Sequence, residues 1–167
     1  DRYDADGGTA GAGHETPFEG RERLLFAEPP DAAPAENGAH QPVVGVPRAL
    51  LTYDLAPLLA ALVRGLGARV QFSPPTNRAV IERSVERAYT DSCFPLKLLH
   101  GHVDLLLAQG VDYVLVPNAI RLDRKSGEAD QHYACPLVQA APYVVDAVFG
   151  LGDRLLTPLI DLSRGDE

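Results

Sequence analysis

Methionine and tryptophan are both absent from the 167 residues, and cysteine occurs only twice, 42 positions apart. Two such cysteines make no disulfide framework of the kind that staples small secreted domains, so a reducing, cytoplasmic setting is expected. The N-terminal stretch lacks the basic-then-apolar order of a signal peptide. No apolar run approaches the about 18 residues that a membrane span requires. Basic residues are also short: 15 Lys and Arg face 23 Asp and Glu, a net charge of −8. That balance repels phosphate backbones and anionic lipid, so neither nucleic acid nor a membrane is an expected partner. There is no GxGxxG and no GxxxxGK[ST], hence no self-contained nucleotide site. With no Met and Asp1-Arg2 at its start, the chain is expected to be an internal piece of something longer.

What is present has the composition of a folded domain. Apolar residues at 46% and charged residues at 23% fall in the ordinary globular range, and the length suits one domain plus extra chain. The extra chain lies at the front. Residues 1–41 hold nine acidic residues and three Arg, a net of −6, which leaves −2 for residues 42–167. Six Gly and four Pro are scattered through them without period, as in Gly7-Gly8-Thr9-Ala10-Gly11-Ala12-Gly13. Such a stretch buries too little apolar surface to offset the entropy of ordering it, so 1–41 is expected to be a flexible acidic linker, with 1–20 loosely attached. Arg21-Glu22-Arg23-Leu24-Leu25-Phe26 is its one candidate for local docking.

From Gln41 onward the pattern alternates. Val43-Val44-Gly45-Val46 is an apolar run ended by Pro47, which suits a strand buried on both faces. Leu50 to Leu66 repeats apolar residues at helical spacing and stops at Gly67. Ala68 to Ser73 is a second strand before Pro74-Pro75, and Thr76 or Asn77 caps a helix through about Tyr89. Phe94 to Gln109 is a third helix, Val111 to Val116 a third strand ended by Pro117, and Arg121 to Gln131 a polar loop. Pro136 to Phe149 reads as a fourth helix and Leu155 to Leu162 as a fourth strand, interrupted by Pro158. Alternation of this kind predicts an α/β domain over 42–167. Its form is an open, mostly parallel four-stranded sheet with helices on both faces, in the Rossmann- or flavodoxin-like manner.

In such sheets ligands sit beyond the carboxyl ends of the strands. The segments expected there are Pro47-Arg48-Ala49, Ser73 to Asn77 and Pro117-Asn118. Both cysteines should reach the same rim, because Cys93 directly precedes the third helix and Cys135 the fourth. A helix N-terminus favours the thiolate, the form that ligates metal or attacks electrophiles. The plain alternative is an inert, half-buried small residue. Zinc is disfavoured, since no CxxC or HxxxH spacing exists, and an iron–sulfur cluster asks for three or four thiolates. His100 and His102 flank Gly101; two positions apart on a helix they point to different sides, so one is expected packed and the other solvated or hydrogen-bonded. Arg48, at the end of the first strand, is either an anion contact or an ordinary surface arginine.

Three blocks carry a resemblance: Val44 to Tyr53, Phe72 to Asn77, and Asp91-Ser92-Cys93-Phe94-Pro95-Leu96-Lys97-Leu98-Leu99-His100-Gly101-His102-Val103, with Tyr133-Ala134-Cys135-Pro136 as a second cysteine segment. From about Arg21 to Leu162 the chain resembles the acyl-CoA dehydratase activase-related family. These proteins are similar to 2-hydroxyacyl-CoA dehydratase subunits and double-cubane cluster proteins, and are often fused behind a CoA-substrate-specific enzyme activase. The resemblance implies an iron–sulfur protein, of 4Fe-4S or double-cubane type, in ATP-driven low-potential electron transfer. Cys93 and Cys135 would be two of its metal ligands, and Arg48 and His102 further cofactor-site positions; Lys97 carries over as a motif position only. The remaining ligands would come from beyond Glu167 or from a partner. ATP would bind only an activase module acting in cis or in trans, and a homodimer or a dehydratase-like subunit is the further partner implied. Two other readings stand beside this one: a docking or scaffold domain that kept the fold without cluster chemistry, and a thiol redox domain pairing Cys93 with Cys135.

Overall fold

The computed structural model describes residues 15–27, 40–88, 91–122 and 132–162. The elements run α1 Pro17–Leu25, β1 Val43–Val46, α2 Thr52–Gly65, β2 Arg69–Phe72, α3 Arg78–Arg87, α4 Phe94–Ala108, β3 Tyr113–Leu115, β4 Asn118–Arg121, α5 Pro136–Phe149, β5 Leu155–Leu156 and β6 Leu159–Asp161. A short 3₁₀ turn, Gly152–Arg154, leads into β5.

Strands β2, β1, β3 and β5 form one all-parallel sheet in that order. The expected α/β class is therefore what the chain adopts. Along β1 the side chains alternate between two cores. Val44 and Val46 face α2, where Leu55, Leu59 and Val63 pack. On the opposite face Leu96, Leu99, Val103 and Leu106 of α4 meet Ala141 and Val145 of α5 over Val114. Gly45 points to that second face, where an added Cβ would come within 3.1 Å of Val111. This proximity keeps α4 close against the sheet.

The order reverses at β1: the chain steps to β2 on one side, then crosses back to β3 on the other. The carboxyl ends of β1 and β3 thus frame the switch point at which open α/β sheets bind ligands. The turn leaving β1 there holds Leu50 at φ 53, the one non-glycine residue with positive φ among the described residues. Its side chain packs on the α4–α5 core, which holds the turn in place.

Two expectations need correction. The predicted fourth strand, Leu155 to Leu162, is two strands: β5 joins the main sheet, whereas β6 pairs in parallel with β4. Pro117 and Pro158 stand side by side at this break, and neither has an N–H for the ladder. Backbone bonds resume on either side of them, Val116 N–H to Leu156 C=O at 3.0 Å and Asn118 N–H to Pro158 C=O at 2.9 Å. Hence β4, which reads as rim and polar loop in the sequence, is a strand.

The acidic front segment is the second. Residues 1–14 and 28–39 lie outside the described residues, as do Tyr89-Thr90 and 123–131 of the polar loop. Glu15 to Ala27, read as linker, holds α1 with a full capping box: Thr16 Oγ1 accepts from the Glu19 N–H at 3.2 Å, and Thr16 N–H donates back to Glu19 Oε2 at 2.8 Å. No residue of α1 itself is buried, but Phe26 directly after it is. Phe26 sits edge-on against Tyr53 and Phe72, with ring centroids 5.2 and 5.0 Å apart. A nine-residue helix is marginal alone, so this aromatic anchor is what docks α1 on the domain.

Candidate functional site

Four elements converge at the carboxyl ends of β1 and β2. Ser73 follows β2 directly and is fully buried; its Oγ accepts from the Arg48 backbone N–H at 2.8 Å, tying the two strand ends together. The same oxygen lies 2.9 Å from Nδ1 of His102, a residue of α4. Thr76 Oγ1 lies 3.0 Å from the other ring nitrogen. Hydroxyls donate or accept as needed, so a neutral imidazole is satisfied at both nitrogens. Burial, with the nearby Arg48 charge adding to it, pushes the His102 pKa down to about 4. The ring is therefore uncharged near neutral pH. The Ser73–His102 contact has the distances of a nucleophile–base pair, yet both side chains are 0% exposed and no substrate reaches the hydroxyl.

Arg48 leaves the same turn under α1. Its guanidinium lies 4.1 Å from the Phe26 ring centroid, and Nη1 donates to Glu22 Oε2 at 3.0 Å. Nearby, burial foremost and then Glu22 raise the pKa of the Tyr53 hydroxyl above its ordinary value. Arg48, expected from the sequence to be either an anion contact or an ordinary surface arginine, is held by an internal carboxylate. The Thr16-Pro17-Phe18-Glu19 box, with proline in the first turn, was the signal that a helix bearing Glu22 exists.

The His-Gly-His block divides into separate structural tasks. His102 anchors the β2 end. Gly101 is the contact point with α3, where an added Cβ would stand 2.4 Å from the Val80 carbonyl and 2.9 Å from the Ser84 N. His100 is also buried; Nδ1 lies 2.9 Å from the Leu96 carbonyl and the ring stacks on Phe149, so one histidine is packed and the other, His102, is hydrogen-bonded, as expected. Lys97 Nζ pairs with Asp91 at 2.7 Å and lowers the pKa of that carboxyl.

The two cysteines are at the N-caps of α4 and α5, both exposed, both free, and neither making a side-chain cap bond. Each helix leads back to a strand parallel to β1, so both N-termini stand at the carboxyl rim. The helices are neighbours: Leu99 of α4 and Val138 and Ala141 of α5 meet around Leu50 and Pro117 at the switch point. Arg48 and His102 belong to the same rim but to its β1–β2 side, beneath α1. Among the described residues no group of three or more His, Cys, Asp or Glu is arranged to hold a metal ion.

A family model described as the CoA enzyme activase uncharacterised domain matches residues 43–167. The chain belongs to this family. The match spans the entire sheet and both cysteine-bearing helix starts of this activase-related domain, and it begins after α1. Comparison with curated proteins and with solved structures gave no match. Among the described residues of the domain no helix is long and apolar enough to cross a membrane.

Proposed function

We propose that this activase-related domain supplies two thiolate ligands, Cys93 and Cys135, to an iron–sulfur cluster in an ATP-driven, low-potential electron-transfer system. One observation carries the reading: two exposed cysteines cap adjacent helices at the switch-point rim of one sheet. Each sulfur is exposed and free at the start of its helix, open to a metal arriving from outside the domain. The donor set is incomplete, because a cubane asks for more thiolates than two. The missing ligands belong to protein outside these 167 residues, either further sequence or a partner subunit. The activase module would bind ATP; this domain has no phosphate loop. A bound cluster would supply one-electron chemistry, and the part of this chain is to hold two of its corners and shield one side.

The test is anaerobic reconstitution of the chain alone and of the full activase-related protein, followed by iron and sulfide analysis. The chain alone should hold iron poorly. The full protein should hold it, and Cys93→Ser or Cys135→Ser should remove most of it.

A second reading has its own support. His100, Gly101, His102 and Lys97, the most distinctive block of the sequence, are all engaged in packing or pairing within the domain. A docking domain that kept the fold without the cluster fits that finding. It takes over if both cysteine variants retain the iron of the full protein.

A further inference from the structure

Arg48 is a more complete feature than a surface ion pair. Its backbone is fixed by Ser73, its guanidinium lies over the Phe26 ring, and its side chain is only 16% exposed. Yet Glu22 takes one of its five donors, through Nη1, and Nε is buried without a hydrogen-bond partner among the described residues. Arginine binds carboxylate best through two parallel N–H bonds, and a buried unpaired donor is costly. The single bond from Glu22 leaves that preference unmet.

Beside the guanidinium runs an open groove of about 490 Å³, lined by the apolar Phe18, Phe26, Ala27 and Pro75 and by charged residues that include Glu22 and Arg48. That volume is in the range of small-ligand sites, which are mostly apolar with a few fixed polar groups. The other charges along it are engaged: Glu19 caps Thr16, and Arg23 is paired with Glu15 at 2.8 Å. The Glu22 side chain is 34% exposed and belongs to a helix with no buried residue, so it can turn out to water while Phe26 keeps α1 docked.

We propose that this groove binds a small organic monocarboxylate with an apolar body, its carboxylate seated on Arg48 in the place Glu22 now takes. Glu22 is then a built-in competitor that sets the affinity. The site lies on the β1–β2 side of the rim, apart from the cysteines, and rests on no cluster.

Hexanoate is the probe, titrated at constant ionic strength and followed by the NMR signals of Arg48 Nε–H and the Phe18 and Phe26 rings, with hexan-1-ol as the uncharged control. Glu22→Gln removes the competing charge and should tighten hexanoate binding at least tenfold over wild type. Arg48→Met should weaken it at least tenfold, and hexanol should bind far more weakly than hexanoate. Should Arg48→Met fail to fold, the ratio between Glu22→Gln and wild type decides alone. Equal affinity of those two proteins, no saturable binding to Glu22→Gln, or hexanol binding as well as hexanoate overturns the proposal. In those cases Arg48–Glu22 is an ordinary structural ion pair.

Discussion

Gly101→Ala tests whether the His100-Gly101-His102 block is a packing device. Alanine is the better helix former by about 1 kcal/mol, so on propensity alone the change should stabilise α4. The structure says otherwise. A Cβ at 101 would stand 2.2 Å from Ser84 Oγ, 2.4 Å from the Val80 carbonyl oxygen and 2.9 Å from the Ser84 N. Two of these three atoms are backbone, so no rotamer change relieves them. To restore ordinary contact α3 must retreat by about 1 Å, which loosens the fully buried Val80 and Ser84. Overpacking of this kind costs about 1–3 kcal/mol. We expect a net loss of about 2 kcal/mol, read as a lower urea midpoint by far-ultraviolet circular dichroism and a Tm lower by about 4–8 °C. Gly65→Ala is the internal control: it also lies in a helix, but its Cβ would meet nothing within 4 Å. That variant should equal or exceed wild type by up to about 1 kcal/mol. If Gly101→Ala is as stable as Gly65→Ala, the close approach of α3 and α4 is not what glycine serves here.

Three further outcomes follow from the same contacts. His102 is neutral in the fold with its pKa near about 4, whereas an exposed histidine titrates near 6.5. Its contribution is thus complete above about pH 6.5 and is lost as pH falls toward 4, amounting to about 2 kcal/mol by pH 5; urea midpoints at pH 7.5 and 5 should show this and His102→Gln should flatten it. Phe26→Ala removes the aromatic anchor between Tyr53 and Phe72, so hydrogen exchange over α1 should rise to the unprotected rate while α4 keeps its protection; slow exchange in α1 would mean other contacts dock it. Cys93→Ser and Cys135→Ser, at exposed caps with no side-chain bond, should change unfolding free energy by no more than about 0.5 kcal/mol.

The sheet was legible because β1 is buried along most of its length and reads as an apolar run ended by proline, and because Gly67 and Gly110 punctuate the helices at positive φ. Proline misled at one place. Pro117 and Pro158 signal the end of β3 and an interruption of the last strand, but only the folded chain shows that both fall at the same rung, so that a second parallel pair begins beyond them. Helix α1 was hidden by composition: a Gly- and Pro-rich acidic background outweighed the four residues of its capping box. The cysteines could be placed at the rim from their prolines alone. The partners of His102 and Arg48 could not, because Ser73, Thr76 and Glu22 lie 26 to 29 positions away and no local spacing ties them together.

The proposed function turns on whether Cys93 and Cys135 hold metal in the intact protein. The most direct measurement is iron and acid-labile sulfide per protein chain after purification from the native host without oxygen, for wild type and for the two cysteine-to-serine variants. Wild type should carry several irons per chain and either variant should lose most of them, with unchanged far-ultraviolet circular dichroism. Wild-type iron and sulfide in both variants would contradict it.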